Sequence, residues 1–227
     1  MNRDEQKSRP RALPPRRRKT GAQASLYPSE NSGGTWIGIN DAGLALALIN
    51  WYAKPQRDRS LCRSRGIVIP QLLAAKDPKD LAHRLKKLPL SELNPFRLIA
   101  VCARTQNIEE WRWDGKSLTS KRFSWKRHHW FSSGYDEALV NRRRKPLVRE
   151  MAETPAAIRK LHRAHEPERG PFSICMHRDV AETVSYTEIA VTKRKARLRY
   201  VAGAPCTKKM SAPHALPLTR GAVLQLR

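Results

Sequence analysis

The chain has 227 residues, 40% apolar and 29% charged, with 45 Lys+Arg against 20 Asp+Glu and a formal charge of +25. That length is enough for one large domain or two small ones with a buried core, and the composition excludes collagen-like and wholly disordered chains. The charge favours anionic partners, but it speaks to association rather than to fold or chemistry. The longest apolar run, Leu44 to Ile49, is too short to cross a bilayer, and Met1-Asn2-Arg3-Asp4-Glu5 has no apolar signal core. Cys62, Cys102, Cys175 and Cys206 lie far apart and match neither CxxC nor a zinc-finger spacing. They read as reduced, structural thiols in a cytoplasmic protein.

Residues 1–31 are polar and basic, with Pro10, Pro14 and Pro15 leading into Arg16-Arg17-Arg18-Lys19, and read as an extended, partly mobile segment. Gly33 to Asn40 and Leu44 to Asn50 form a β-hairpin across the turn Asn40-Asp41-Ala42-Gly43. After a basic loop over 51–63, residues 65–75 place Ile67, Val68, Leu72 and Leu73 on one helical face, interrupted by Pro70. Asp77-Pro78 starts a second helix carrying Leu81, Leu85 and Leu88, and Pro89 stops it. Strands follow over 96–102 and 108–113, and Asp114-Gly115 turns the chain into a strand over 116–123. Beyond the basic-aromatic segment Trp125–Phe131, helices are predicted from Tyr135 to Glu150 and from Thr154-Pro155 to near His165. Strands over 172–177, 183–191 and 196–201 complete the chain. Runs of strands separated by helix pairs point to a layered α+β fold rather than βαβ units.

No nucleotide-binding, zinc-protease or serine-hydrolase motif occurs. His162 and His165, three apart on a predicted helix, would share a metal only with a third ligand, and a solvated helix face is the plainer reading. Lys126-Arg127-His128-His129-Trp130 is suited to stacking on bases or lining a pocket; indoles packed in a core are the simpler alternative. No haem-attachment sequence is present. Thus no metal or cofactor is expected from motifs, although haem is kept as a carried ligand.

Asn2-Arg3-Asp4-Glu5 is followed by Ser8-Arg9-Pro10, then by Gly33-Gly34-Thr35-Trp36-Ile37-Gly38-Ile39-Asn40 and Leu48-Ile49-Asn50. Further on come Ser64-Arg65-Gly66, Phe131-Ser132-Ser133-Gly134-Tyr135-Asp136, Ser173-Ile174-Cys175-Met176-His177, Thr183-Val184-Ser185-Tyr186-Thr187 and Gly203-Ala204-Pro205-Cys206. This ordered set resembles the NRDE family, also called the transport and Golgi organisation protein 2 family. The resemblance implies a four-layer αββα sandwich similar to N-terminal-nucleophile hydrolases, which cleave amides with an N-terminal Cys, Ser or Thr. It identifies Asn2, Arg3, Asp4, Glu5, Arg9, Pro10, Gly33, Gly34, Thr35 and Trp36 as motif residues. By analogy, Arg3 and Asp4 orient and charge-stabilise the nucleophile end of a catalytic site, and Asn50 donates to an oxyanion.

Family members of this kind begin with Met-Cys one strand upstream of the motif, whereas here Met1 stands directly before Asn2. The expectation is therefore a fold with its first strand missing and a chain inactive as an amide hydrolase. The expected divisions are the motif with its basic segment over 1–31, one αββα domain over 32–206, and a tail over 207–227. A non-enzymatic carrier or trafficking factor for haem or acyl-CoA and lipid-type ligands is the alternative implied by the eukaryotic relatives. Weak, non-specific nucleic-acid binding is the third, with Arg16–Lys19, Arg142–Lys145 and Lys193–Lys195 as its footprint. A small anionic or amide ligand is the expected partner.

Overall fold

The computed structural model describes residues 1–166 and 168–219, apart from the side chain of Arg59. Its first thirty residues hold three strands, β1 (Asn2–Gln6), β2 (Leu13–Thr20) and β3 (Gln23–Ser29), where the sequence suggested a mobile segment. The charge run is compatible with a strand because β2 is an edge: Arg16, Arg17 and Lys19 face solvent, while β3 buries Leu26 and Tyr27. Pro14 sits where the β2–β3 register slips between Leu13 and Arg16, a place where a missing N–H costs no ladder bond.

The hairpin expected next is present. Strand β4 (Ile37–Asn40) pairs with β5 (Leu44–Asn50), Gly38 opposite Leu46, and Gly43 at φ +81° closes the turn by donating to the Asn40 carbonyl. The buried Asn40 amide donates to the carbonyls of Leu73 and Ala75, and its oxygen accepts from Leu44, so one side chain fixes the turn to the following helix. That helix, α1 (Val68–Leu72), is a single short turn preceded by a 3-10 turn over Arg65–Ile67, shorter than the predicted 65–75. Helix α2 (Pro78–Lys86) starts as expected, with the Asp77 carboxylate accepting from the Asp80 N–H at 2.8 Å.

Strands β6 (Phe96–Cys102), β7 (Asn107–Trp113) and β8 (Leu118–Phe123) complete an antiparallel sheet in the order β2-β3-β4-β5-β6-β7-β8, a pure meander. Alternation sends Leu44, Leu46 and Leu48 of β5 and Phe96, Leu98 and Ala100 of β6 to one face, against Val68, Ile69, Leu72, Leu81 and Leu85 of the two helices. Each fully buried leucine here contributes on the order of 1.5–3 kcal/mol.

Helix α3 (Glu137–Arg149) is capped by Asp136 and runs on through Pro146, whose missing donor falls on the exposed side. Helix α4 (Pro155–Arg163) is capped by Thr154. Strands β9 (Ala181–Val191), β10 (Lys195–Ala202) and β11 (His214–Pro217) join β1 in a second antiparallel sheet, order β1-β9-β10-β11.

Two expectations differ here. Residues 172–177 form no strand, because their backbone donors go to loop partners: Cys175 N–H to the Ala164 carbonyl, Met176 N–H to the Thr183 hydroxyl, His177 N–H to the Gly170 carbonyl. The expected C-terminal tail supplies β11, since Leu216 is buried opposite Ala196; its last eight residues lie outside the described ones. The result is a mixed α+β chain with two antiparallel sheets and, among the described residues, four α-helices. It divides into two compact units: residues 1–12, 127–188 and 199–212 form the first, and residues 13–126, 189–198 and 213 onward the second.

Candidate functional site

The motif strand β1 lies at an edge of its sheet and pairs with β9, Asn2 opposite Tyr186 and Asp4 opposite Thr183. Those partners are three apart in β9 and reach matching positions because the register shifts between Arg3 and Asp4, a bulge that re-aims side chains. The Thr183 hydroxyl donates to the Asp4 carboxylate at 2.6 Å and accepts from the Met176 N–H at 2.9 Å. Asp4 is an exposed residue, yet the packing against Thr183 desolvates its carboxyl. That desolvation pushes its carboxyl above the ordinary range, against the opposing pull of the Thr183 hydrogen bond and the Arg144 charge.

Asn2 ties three elements of this unit together. Its amide donates to the carbonyls of His162 (3.0 Å) and Ile174 (2.8 Å), which fixes the side-chain oxygen toward Nδ1 of His162 at 3.2 Å. An acceptor there requires the proton on Nδ1 and leaves Nε2 as the basic nitrogen. Burial, followed by the charges of the Met1 α-amine, His129 and Arg144, holds His162 well below the usual histidine range, so the ring is neutral at pH 7. The ring also lies 4.8 Å from that of Tyr186. The Met1 α-amine donates to the Thr187 carbonyl at 2.7 Å, and burial lowers it to about 5.

Arg144 occupies the inward stripe of α3 between Val140 and Val148, at 5% exposure. Nε donates to the Phe172 carbonyl (3.1 Å) and one terminal nitrogen to that of Ser173 (2.6 Å). Its desolvated charge acts on both Asp4 and His162. The cluster therefore combines a cation, a neutral imidazole and a carboxyl raised above its ordinary range.

Of the residues expected at the site, Asp4 and Asn2 belong to this cluster. Arg3 is buried and pairs with Glu5 at 3.4 Å, and Glu5 also pairs with Arg9 at 2.6 Å, so these three brace the strand. Asn50 belongs to the other unit, where its amide donates to the Tyr52 hydroxyl at 2.8 Å. The Gly33-Gly34-Thr35-Trp36 word also lies there and has a structural part. A Cβ on Gly34 would stand 3.2 Å from Gly66 Cα, and the Thr35 N–H donates to the Gly66 carbonyl at 2.9 Å.

A sequence model of the family described as "Transport and Golgi organisation 2" matches residues 1–160. The chain belongs to that family. No curated protein sequence matches it. Among solved structures, penicillin V acylase from Agrobacterium tumefaciens is similar over 92% of this chain and 93% of its own, with a TM-score of 0.45 and 13% identity.

In this transport and Golgi organisation 2 chain, nothing in the sequence marks Arg144, Thr183 and His162 as neighbours of Asp4 and Asn2. Arg144 was hidden in a basic run, although its i±4 relation to Val140 and Val148 marks an inward position. His162 and His165, taken as a solvated helix face, are both engaged and point to different partners: His162 to Asn2, His165 to His177. The basic-aromatic segment is irregular, with Trp125 exposed rather than packed in a core. An open groove of about 450 Å³ along Arg17, Arg18, Lys19 and Asp41 holds no motif residue.

Proposed function

We propose that this transport and Golgi organisation 2 protein is a non-hydrolytic carrier that takes a small anionic or amide-bearing ligand beside Asp4. The observation that carries the reading is the pairing of a solvent-reached, acid-biased Asp4 with the buried cation of Arg144. The desolvated Arg144 guanidinium supplies charge, and the Asp4 carboxyl, which desolvation disposes to keep its proton, adds a polar partner; together they suit a carboxylate, a phosphate or an amide carbonyl. Arg3 braces the strand that presents Asp4.

Hydrolysis needs an accessible nucleophile beside its base. Thr183 has its hydroxyl on Asp4, but it is wholly buried and its oxygen is taken by the Met176 N–H, so it orients the acid and does not attack. Haem propionates and the phosphates of an acyl-CoA both carry suitable anionic groups. Nucleic-acid binding has less support. Arg17 donates to the Ala215 carbonyl, Arg18 lies over the Tyr27 ring, and Arg144 is buried, so part of the expected footprint is committed within the fold. All four cysteines are free, which fits the reducing compartment expected for a cytoplasmic protein. No helix among the described residues is long and apolar enough to cross a membrane.

The test is titration of the full chain with haemin and with palmitoyl-CoA, beside an assay for cleavage of a chromogenic N-acyl amide. Saturable binding of one probe, weakened by Arg144→Met and retained by Asp4→Asn, is expected, with no amide turnover. Turnover of the amide, or failure of both probes to bind, overturns the reading.

A further inference from the structure

The first unit gathers a second cluster that shares no side chain with the one around Asp4. One ligand-type atom each from His165, Cys175, His177 and Cys206 lies within 4.8 Å of all the others. His165 Nε2 stands 3.3 Å from His177 Nε2, Cys175 Sγ 3.6 Å and Cys206 Sγ 3.5 Å from that same nitrogen. A tetrahedral zinc centre, with bonds of about 2.0–2.1 Å to nitrogen and about 2.3 Å to sulfur, has edges of about 3.3 Å between nitrogens and about 3.6 Å between nitrogen and sulfur. The three separations from His177 Nε2 match those edges, and the other pairs lie within 4.8 Å. Hydrogen bonding is a poor account of the same geometry, because one ring nitrogen has a single donor or acceptor direction and here faces three groups.

We propose that His165, Cys175, His177 and Cys206 hold one structural zinc ion. Two thiolates and two neutral imidazoles balance the divalent charge, and an S2N2 set in this arrangement selects zinc over magnesium or calcium. Binding displaces one proton from each thiol to solvent. Four protein ligands leave no open position for water, so the ion is a fastener and not a catalytic centre. Nδ1 of His177 lies 4.0 Å from a Glu182 carboxylate oxygen, the kind of outer carboxylate that orients a metal-bound imidazole.

The fold explains why a fastener is placed there. The stretch from the end of α4 to the start of β9 contains no helix or strand among its described residues. The main apolar cluster belongs wholly to the other unit. A small unit with a long irregular loop and few buried apolar side chains is where nature adds a metal. The ion joins the end of α4 through His165, the loop through Cys175 and His177, and the turn after β10 through Cys206. It thereby holds the segment whose Phe172, Ser173 and Ile174 carbonyls accept from Arg144 and Asn2. The sequence conceals the set: His165 is twelve residues before His177, Cys175 two before it, and Cys206 twenty-nine after it, so no finger spacing appears.

The experiment is metal analysis of the full chain purified from zinc-supplemented medium, with cobalt titration of the chelator-treated chain. Near one zinc per chain is expected, falling below about a tenth of an equivalent in Cys206→Ser and His165→Gln and unchanged in Cys62→Ser. Cobalt should give thiolate-to-cobalt charge transfer and tetrahedral ligand-field bands that saturate at one equivalent and disappear when zinc is added. The titration uses the unsubstituted chain, so it decides the matter even where a variant fails to fold. Absence of those bands, or zinc content that persists in the Cys206→Ser and His165→Gln chains, overturns the proposal.

Discussion

The amide of Asn2 donates to the carbonyl of His162 while its oxygen faces Nδ1 of the same residue at 3.2 Å. The first residue of the family motif thus grips both the main chain and the ring of one helix residue, and reaches the Ile174 carbonyl as well. Replacing Asn2 with Asp turns two donor contacts into a carboxylate facing two carbonyls. A loss of about 2–4 kcal/mol is expected, against about 1–3 kcal/mol for Asn2→Ala. Denaturant unfolding of the two variants measures the order; an Asp variant as stable as the natural chain contradicts it.

Asp4 gives a pH signature. Desolvation raises its carboxyl in the folded chain, so the folded state holds a proton that the unfolded state releases above the ordinary value of 3.8. Stability should fall as pH rises from there to the raised folded value and then level off. Asp4→Asn removes that cost. The variant should melt higher than the natural chain at neutral pH, and the two should converge in acid. Melting curves across pH 3–8, a range of about five units chosen to span the ordinary and raised values, give the comparison.

Arg144 and Arg142 stand in the same basic run, but only Arg144 is buried and bonded to two carbonyls. Arg144→Leu should cost about 2–4 kcal/mol, because the Phe172 and Ser173 carbonyls lose their donors. Arg142→Leu should change stability by no more than about 0.5 kcal/mol. Equal effects would show that the inward phase of α3 is misjudged.

Glu110, midway along β7, has a fully buried side chain clamped by Arg97 at 2.5 Å and Arg112 at 2.7 Å. Burial works to raise its carboxyl, yet the two arginine hydrogen bonds and charges outweigh it and hold the group below 4.5. Its stabilisation is present above that value and is lost as pH falls through the lowered folded one. Glu110→Gln should cost about 2–4 kcal/mol at neutral pH and should flatten the acid limb of the stability profile. A profile unchanged in acid would assign that limb to other carboxylates.

The sheet hairpins were legible wherever turn chemistry and alternation agreed, as at Asn40–Gly43 and Asp114-Gly115. The Asp77-Pro78 start of α2 was legible for the same reason, a cap followed by a residue that needs no donor. Strands β2 and β3 were not, because like charges on an edge resemble those of an unstructured segment until a partner strand is known. Residues 172–177 looked like a strand since Ile174, Cys175 and Met176 are buried, but burial there comes from loop packing. Within the cluster around Asp4, the motif supplied Asn2 and Asp4, whereas Thr183 and Arg144 join them only through a bulge and a helix phase that tertiary structure sets.

Both margins of the seven-stranded sheet end in cations, Arg16, Arg17 and Lys19 on β2 and Lys121 and Arg122 on β8, all exposed. Two copies approaching margin to margin would bring like charge against like charge before any backbone ladder forms. That barrier depends on the ionic medium, since its range shrinks from about 10 Å at 0.1 M salt to about 3 Å at 1 M. Part of the +25 charge thus acts as a dispersant for a sheet whose margins would otherwise zip together, and concentrated salt should be the condition under which this chain begins to self-associate.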